Sequence, residues 1–89
     1  MDNELIFSKS VYTSNDARLK LIDEVIEFTK SLNIVLNLDP YEYYLLLDEA
    51  ITNSMEHGNR WVADKMIHLK CYFKDKYLYI EIKDEGIGF

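Results

Sequence analysis

Three polar side chains of different chemistry recur every four residues in the middle of the chain. Glu49, Asn53 and His57 stand at i, i+4 and i+8, and at about 100° per residue an α-helix would gather them on one side. Leu47 and Ile51 would then lie on the opposite side. The spacing therefore predicts a helix with one apolar face and one line formed by a carboxylate, an amide and an imidazole.

This polar line suits proton transfer and magnesium-assisted phosphate chemistry. A carboxylate such as Glu49 can accept a proton from a hydroxyl nucleophile or orient a water molecule. The amide oxygen of Asn53 is a ligand that Mg²⁺ accepts while it keeps several waters and takes phosphate oxygens from a nucleotide. A solvated outer helix face explains the same spacing, although the leucines at 45 and 46 beside the line favour a pocket.

A second short motif closes the sequence. Asp84 is followed by Gly86 and Gly88 directly after a segment with the alternation of a strand. Two glycines at this spacing allow backbone to pass close to a flat ligand, and the aspartate before them can accept a hydrogen bond. An ordinary loop is the simpler interpretation of this motif by itself, and its weight comes from its combination with the helix.

The elements that must position these residues follow from hydrophobic periodicity and from helix-end signals. Ser14 is a predicted N-cap, Asp39 and Pro40 mark the start of the second helix, and Gly58 is predicted to end that helix in the left-handed conformation. Strands are predicted where apolar and polar residues alternate. The predicted elements are a strand over 4–12, helices over 15–32 and 40–57, and a hairpin of strands over 66–74 and 77–83.

The order β-α-α-β-β predicts an α+β fold, a two-layer sandwich in which helices cover one face of a mixed or antiparallel sheet. The length of 89 residues at 10.6 kDa allows a single domain. A net charge of −6 argues against binding to nucleic acid or to an anionic membrane surface. One cysteine, an acidic N-terminus and no long apolar run favour a cytoplasmic protein without a disulfide framework.

Taken together, the two motifs resemble those of a known superfamily. The segments LLLDEAITNSMEHGNR (45–60) and IKDEGIGF (82–89) are similar to the N-box and the first glycine box of the ATP-binding domains of gyrase, Hsp90, histidine kinases and MutL. Within that superfamily, the chain looks most like the bacterial anti-sigma-factor serine/threonine kinases. The resemblance implies the Bergerat-type ATPase fold, of which residues 1–89 would form the N-terminal part.

The resemblance also implies roles for individual residues. Glu49 would be the catalytic base that takes the proton from a substrate serine or threonine. Asn53 would bind Mg²⁺, and Asp84 would bond to the adenine amino group of ATP. Gly86 and Gly88 would let backbone line the nucleotide pocket. The implied protein partners are a sigma factor and an anti-sigma-factor antagonist, and the implied assembly is a homodimer.

The resemblance departs from the superfamily pattern at the end of the chain. Domains of this type continue with an ATP lid and a second glycine box, which the 89 residues do not include, so the chain by itself is expected to lack part of the phosphate site. Two alternatives therefore remain open at this point. One is a non-catalytic interaction or dimerisation module on the same scaffold, and the other is the ATP-binding part of a sensor histidine kinase.

Overall fold

The computed structural model describes residues 5–86, which form three strands and two helices. The elements in chain order are β1 (Ile6–Tyr12), α1 (Asn15–Ser31), α2 (Pro40–Asn53), a π-helical turn (Ser54–Gly58) that continues α2, β2 (Met66–Lys74) and β3 (Tyr77–Asp84). This order confirms the predicted α+β class. Every predicted element is present, with boundaries that differ by a few residues.

The sheet is antiparallel throughout, with β2 between β1 and β3. The hairpin between β2 and β3 turns through Asp75 and Lys76, which both have positive φ, 52° and 72°. Two successive left-handed residues match the twist of the flanking strands, as in type I′ hairpin turns. The predicted hairpin is therefore correct in both its strands and its turn.

Both helices begin at the predicted caps. The Ser14 hydroxyl accepts a hydrogen bond from the Ala17 N–H at 3.0 Å, and the Asp39 carboxylate accepts one from the Tyr41 N–H at 2.9 Å. These bonds satisfy N–H groups that have no partner within a helix.

The hydrophobic core lies between the two helices and one face of the sheet. Its centre is formed by residues that are essentially buried completely: Leu21, Ile22 and Val25 from α1, Leu47 and Ile51 from α2, Met55 from the π-helical turn, and Ile67, Leu69 and Cys71 from β2. The alternate residues of β2 face away from the helices and are half-buried, as His68 is, or exposed, as Lys70 is. This arrangement is the predicted two-layer sandwich. No helix within the described residues is long and apolar enough to cross a membrane.

A buried polar contact joins the two helices inside this core. The hydroxyls of Thr29 on α1 and Tyr43 on α2 are 2.8 Å apart, and Thr29 also donates to the Val25 carbonyl at 2.9 Å. Burial raises the pKa of the Tyr43 phenol, an effect that the hydrogen bond to Thr29 partly offsets. Burial also raises the pKa of the nearby Cys71 thiol to about 11. Burial therefore favours the neutral forms of both groups.

Candidate functional site

Helix α2 has the two faces that its spacing predicts. Leu47 and Ile51 are completely buried, whereas the side chains of Glu49 and Asn53 are exposed one turn apart. Within residues 5–86, neither of these two polar side chains forms a hydrogen bond or an ion pair. Leu45 and Leu46, which flank the line, are 43% and 50% exposed. The helix therefore presents a carboxylate and a carboxamide to solvent beside accessible apolar surface.

The acid that precedes Glu49 has a different role. The Asp48 carboxylate forms an ion pair with the Arg18 guanidinium of α1, and the Thr52 hydroxyl lies 3.4 Å from the same oxygen. Both charged groups are partly buried. This ion pair contributes to the contact between α1 and α2. Of the two adjacent acids, Glu49 is the one that is available for a ligand.

The end of α2 differs from the prediction in its local geometry. Residues Ser54–Gly58 form a π-helical turn, in which the Asn59 N–H bonds to the Ser54 carbonyl five residues back, at 2.9 Å. Such turns insert an extra residue and are frequent at functional sites. The third member of the predicted polar line, His57, is exposed and lies 3.0 Å from the Glu56 carboxylate.

The predicted role of Gly58 is wrong. Its φ is not positive, and the left-handed residues that end the helical segment are Arg60 (φ 50°) and Trp61 (φ 57°). Gly58 is needed for space instead, because a Cβ atom at this position would overlap the carboxylate of Asp84. The Asp84 carboxylate at the end of β3 therefore packs directly against the backbone of Gly58, and a side chain at position 58 would displace it.

Asn59, which follows, holds the turn after β3 through its side chain. Its oxygen accepts hydrogen bonds from the N–H groups of Glu85 at 3.0 Å and Gly86 at 2.9 Å. Its amino group donates to the Thr13 hydroxyl and to the Met66 carbonyl, both at 3.0 Å. Asn59 is completely buried, and these four bonds use all of its hydrogen-bonding capacity.

The Glu85 side chain ties the same turn to β2. Its carboxylate accepts a hydrogen bond from the Met66 N–H at 2.9 Å and lies 3.3 Å from Nε2 of His68. The bond from Met66 lowers the pKa of the Glu85 carboxyl, and His68 contributes in the same direction. Gly86 follows with a φ of 66°, a conformation that costs glycine little. The chain direction after β3 is thus set by backbone and side-chain contacts.

These observations locate the residues predicted for the site. The end of β3 meets the end of the helical segment at a junction formed by Asp84 and Gly86 on one side and Gly58 and Asn59 on the other. Glu49 and Asn53 precede this junction on the same helical segment. Gly88, the second glycine of the predicted motif, lies outside the described residues. The exposed Asp84 carboxylate and the exposed groups of α2 offer hydrogen-bond acceptors to a ligand.

The comparisons with known proteins agree with the resemblance of the two motifs to those of anti-sigma factors. No protein-family model matches the chain. Over 88 residues, 99% of its length, the chain is 27% identical to the Anti-sigma F factor of Bacillus velezensis and to that of Oceanobacillus iheyensis. It is 25% identical over the same length to the Anti-sigma F factor of Bacillus subtilis. The chain spans 58% of the length of each of these relatives.

Sequence reasoning missed Asn59. The predicted elements leave position 59 in a loop after the second helix, where an asparagine is common and carries no signal of burial. Only the folded chain shows that this residue fills the space between the ends of α2, β1 and β3. An asparagine directly after the His57-Gly58 pair is the one local feature that could have drawn attention to it.

Proposed function

We propose that the chain is the ATP-binding part of a serine/threonine kinase of the anti-sigma-factor type. The observation that carries this proposal is the combination of an exposed carboxylate and carboxamide on α2 with an aspartate turn packed against the end of the same helical segment. The likeness to proteins named Anti-sigma F factor, which extends over 88 residues of the chain, supports the same function.

In this proposal, the junction of α2 and β3 binds adenine. The Asp84 carboxylate accepts a hydrogen bond from the exocyclic amino group, a contact that distinguishes adenine from guanine. Gly58 leaves room for that carboxylate, and Gly86 and Gly88 let the backbone approach the base. Hydrogen bonds to a charged group typically contribute about 1.5–3 kcal/mol, so the loss of this contact would weaken nucleotide binding by roughly tenfold to a hundredfold.

The residues present also fit Mg²⁺ that arrives with a nucleotide. Within residues 5–86, no group of three or more histidine, cysteine or acidic side chains could hold a metal ion. The exposed Asn53 amide oxygen supplies one neutral ligand, and Mg²⁺ commonly takes its remaining ligands from phosphates and water. When bound, the ion would neutralise charge on the phosphates. Asn53 is thus proposed to hold Mg²⁺ only in the nucleotide complex.

Glu49 is proposed as the catalytic base. Its carboxylate would accept the proton of a serine or threonine hydroxyl as that oxygen attacks the terminal phosphorus of ATP, while the bond from that phosphorus to the bridging oxygen breaks and ADP leaves. Because Glu49 is exposed at the surface of α2, a protein substrate can approach it directly. General-base catalysis typically contributes about 10² to 10⁴-fold to a rate, and the remaining acceleration would come from positioning and charge neutralisation.

The proposed partners follow from the same likeness. The intact protein would bind a sigma factor, phosphorylate an anti-sigma-factor antagonist and act as a homodimer in the cytoplasm. Exposed apolar residues on β1, with Ile6 50% and Tyr12 59% exposed, offer surface for such an assembly. β1 is also an edge strand of the sheet, and edge strands can pair with another chain.

The test compares two glutamates of α2 in the intact gene product. Phosphotransfer from labelled ATP to the cognate antagonist should fall by about 10² to 10⁴-fold in Glu49→Gln. The matched control, Glu42→Gln, alters an exposed glutamate in the first turn of the same helix and should retain activity. Nucleotide binding, measured by calorimetry with ADP and Mg²⁺, should survive in both variants. Phosphotransfer that persists in Glu49→Gln would remove this residue from the role of base, and a wild-type protein that binds no nucleotide would overturn the proposed function.

A further inference from the structure

The four hydrogen bonds of Asn59 determine the orientation of its amide without ambiguity. The side-chain oxygen faces two N–H donors, those of Glu85 and Gly86. The side-chain nitrogen faces the Met66 carbonyl and the Thr13 hydroxyl. That hydroxyl donates its own proton to the Lys65 carbonyl at 2.6 Å, so it can only accept from Asn59. No other residue type supplies two acceptor sites and two donors from a side chain of this size.

The backbone of Asn59 is held as firmly as its side chain. Its N–H bonds to the Ser54 carbonyl in the π-helical turn, and its carbonyl accepts from the Val62 N–H at 3.0 Å. The residue therefore belongs rigidly to the end of α2. Through its side-chain oxygen, it fixes the backbone immediately after Asp84. Asp84 itself is paired with Ile67 at the end of β3, and one buried side chain connects the backbone that follows it to the end of α2.

An apolar residue at position 59 would not reproduce this arrangement. A buried asparagine is costly unless every polar atom is bonded, and an apolar residue at position 59 would fill the same space. It would, however, leave the N–H groups of Glu85 and Gly86 without the acceptor that holds them. What the asparagine supplies specifically is a defined path for the turn that carries Asp84 and Gly86.

We infer that Asn59 is a positioning residue for adenine recognition, acting through the turn of residues 84–86. This inference rests on the proposed function, in which that turn binds the base of ATP. Asn59 is completely buried and would not itself touch the nucleotide. Its contribution would be to hold the Asp84 carboxylate and the Gly86 backbone at one distance and angle from α2 before the ligand arrives.

The experiment uses Asn59→Ala and a matched variant, Thr13→Val, in the intact protein. Asn59→Ala removes the bonds to residues 85 and 86, whereas Thr13→Val removes one partner on the other side of the same network and leaves those two bonds in place. Calorimetry with ADP and Mg²⁺ should show affinity that is lower by about tenfold or more in Asn59→Ala and nearly unchanged in Thr13→Val. GDP should compete with ADP more strongly in Asn59→Ala than in the wild type, because the contact that selects adenine is misplaced.

Amide hydrogen exchange gives a second readout that needs no nucleotide. In the free wild-type protein, the N–H groups of Glu85 and Gly86 should be protected, and in Asn59→Ala this protection should be lost while that of the hairpin persists. If Asn59→Ala does not fold, Asn59→Ser replaces it, under conditions in which the variant is folded to the same fraction as the wild type. Rapid exchange of both groups in the wild type, or unchanged affinity once their protection is lost, would overturn the inference while the proposed function stands. A wild-type protein that binds no nucleotide, with both groups protected, would instead overturn the proposed function and with it the role in adenine recognition.

Discussion

The outer face of α2 and the junction around Asn59 use polar groups in opposite ways. On α2, Glu49 and Asn53 are exposed and bond to no other side chain within residues 5–86. At the junction, Asn59 is completely buried and has every bond filled. A polar group that is left open to solvent is free to act on a ligand, whereas one that is buried and saturated can only hold structure. The comparison therefore separates residues for chemistry from residues for geometry.

Gly58 lies where these two regions meet, and a substitution there should affect them differently. Gly58→Ala removes a flexible residue from a helical segment, a change that typically stabilises by up to about 1 kcal/mol. The new Cβ would overlap the Asp84 carboxylate, which is exposed and can rotate away. We expect a free energy of unfolding within about 1 kcal/mol of the wild type, together with ADP affinity that is roughly tenfold to a hundredfold lower.

A double-mutant cycle tests the cause of this loss. In an Asp84→Ala background, Gly58→Ala should cause no further loss of affinity, because the carboxylate that it displaces is already gone. Urea denaturation and calorimetry on the four proteins supply the two measurements. Equal affinity in the wild type and Gly58→Ala would mean that the packing of Asp84 against α2 has no part in binding.

The two regions were not equally accessible to sequence reasoning. The faces of α2 follow from helical periodicity, and Leu47 and Ile51 are buried as that periodicity predicts. The caps at Ser14 and Asp39 and the hairpin were also predicted correctly, because each depends on contacts between residues close in sequence.

The junction depends on residues that are far apart in sequence. Asn59 bonds to Thr13 and Gly86, which are 46 and 27 positions away, and no local pattern records such a meeting. The same limitation explains the error at Gly58. A glycine at a predicted helix end is typical of a left-handed cap, and only the approach of Asp84 reveals that the absence of a side chain is the requirement. The roles of Glu49, Asn53 and Asp84 stay predictions.

Buried ionisable groups should give the core a pH response that exposed groups do not share. Burial raises the pKa of Cys71 from 9.0 to about 11. A group with a raised pKa in the folded state stabilises fully below its unfolded pKa, and the contribution is lost as pH rises between the two values. Stability to urea should therefore fall between pH 9 and about 11. This fall should be shallower in Cys71→Ala, although Tyr43, whose pKa is also raised, would retain part of it.

A neighbouring core residue provides the control for this pH response. Ile67 is also completely buried on β2 and has no ionisable group. Ile67→Val should lower stability by about 0.5–1.5 kcal/mol and leave the slope with pH unchanged. If Cys71→Ala and Ile67→Val show the same slope above pH 9, the thiol does not contribute to it.

The smallest expected effect concerns Glu85, on the exposed rim of the junction. The hydrogen bond from the Met66 N–H lowers the pKa of this carboxyl below 4.5. A lowered pKa stabilises above the unfolded value, and the contribution is lost as pH falls through the folded value. The melting temperature of Glu85→Gln should therefore be slightly lower than that of the wild type at pH 7, and this difference in melting temperature should narrow as pH falls below 4.5. Glu85→Asp keeps the charge but is one methylene shorter, so it should lose the bond to Met66 and also melt below the wild type if that bond is the cause. A Glu85→Asp variant with the wild-type melting temperature and pH response would instead assign the effect to charge alone. Among the described residues, Asn59 would then be the only side chain that fixes the turn.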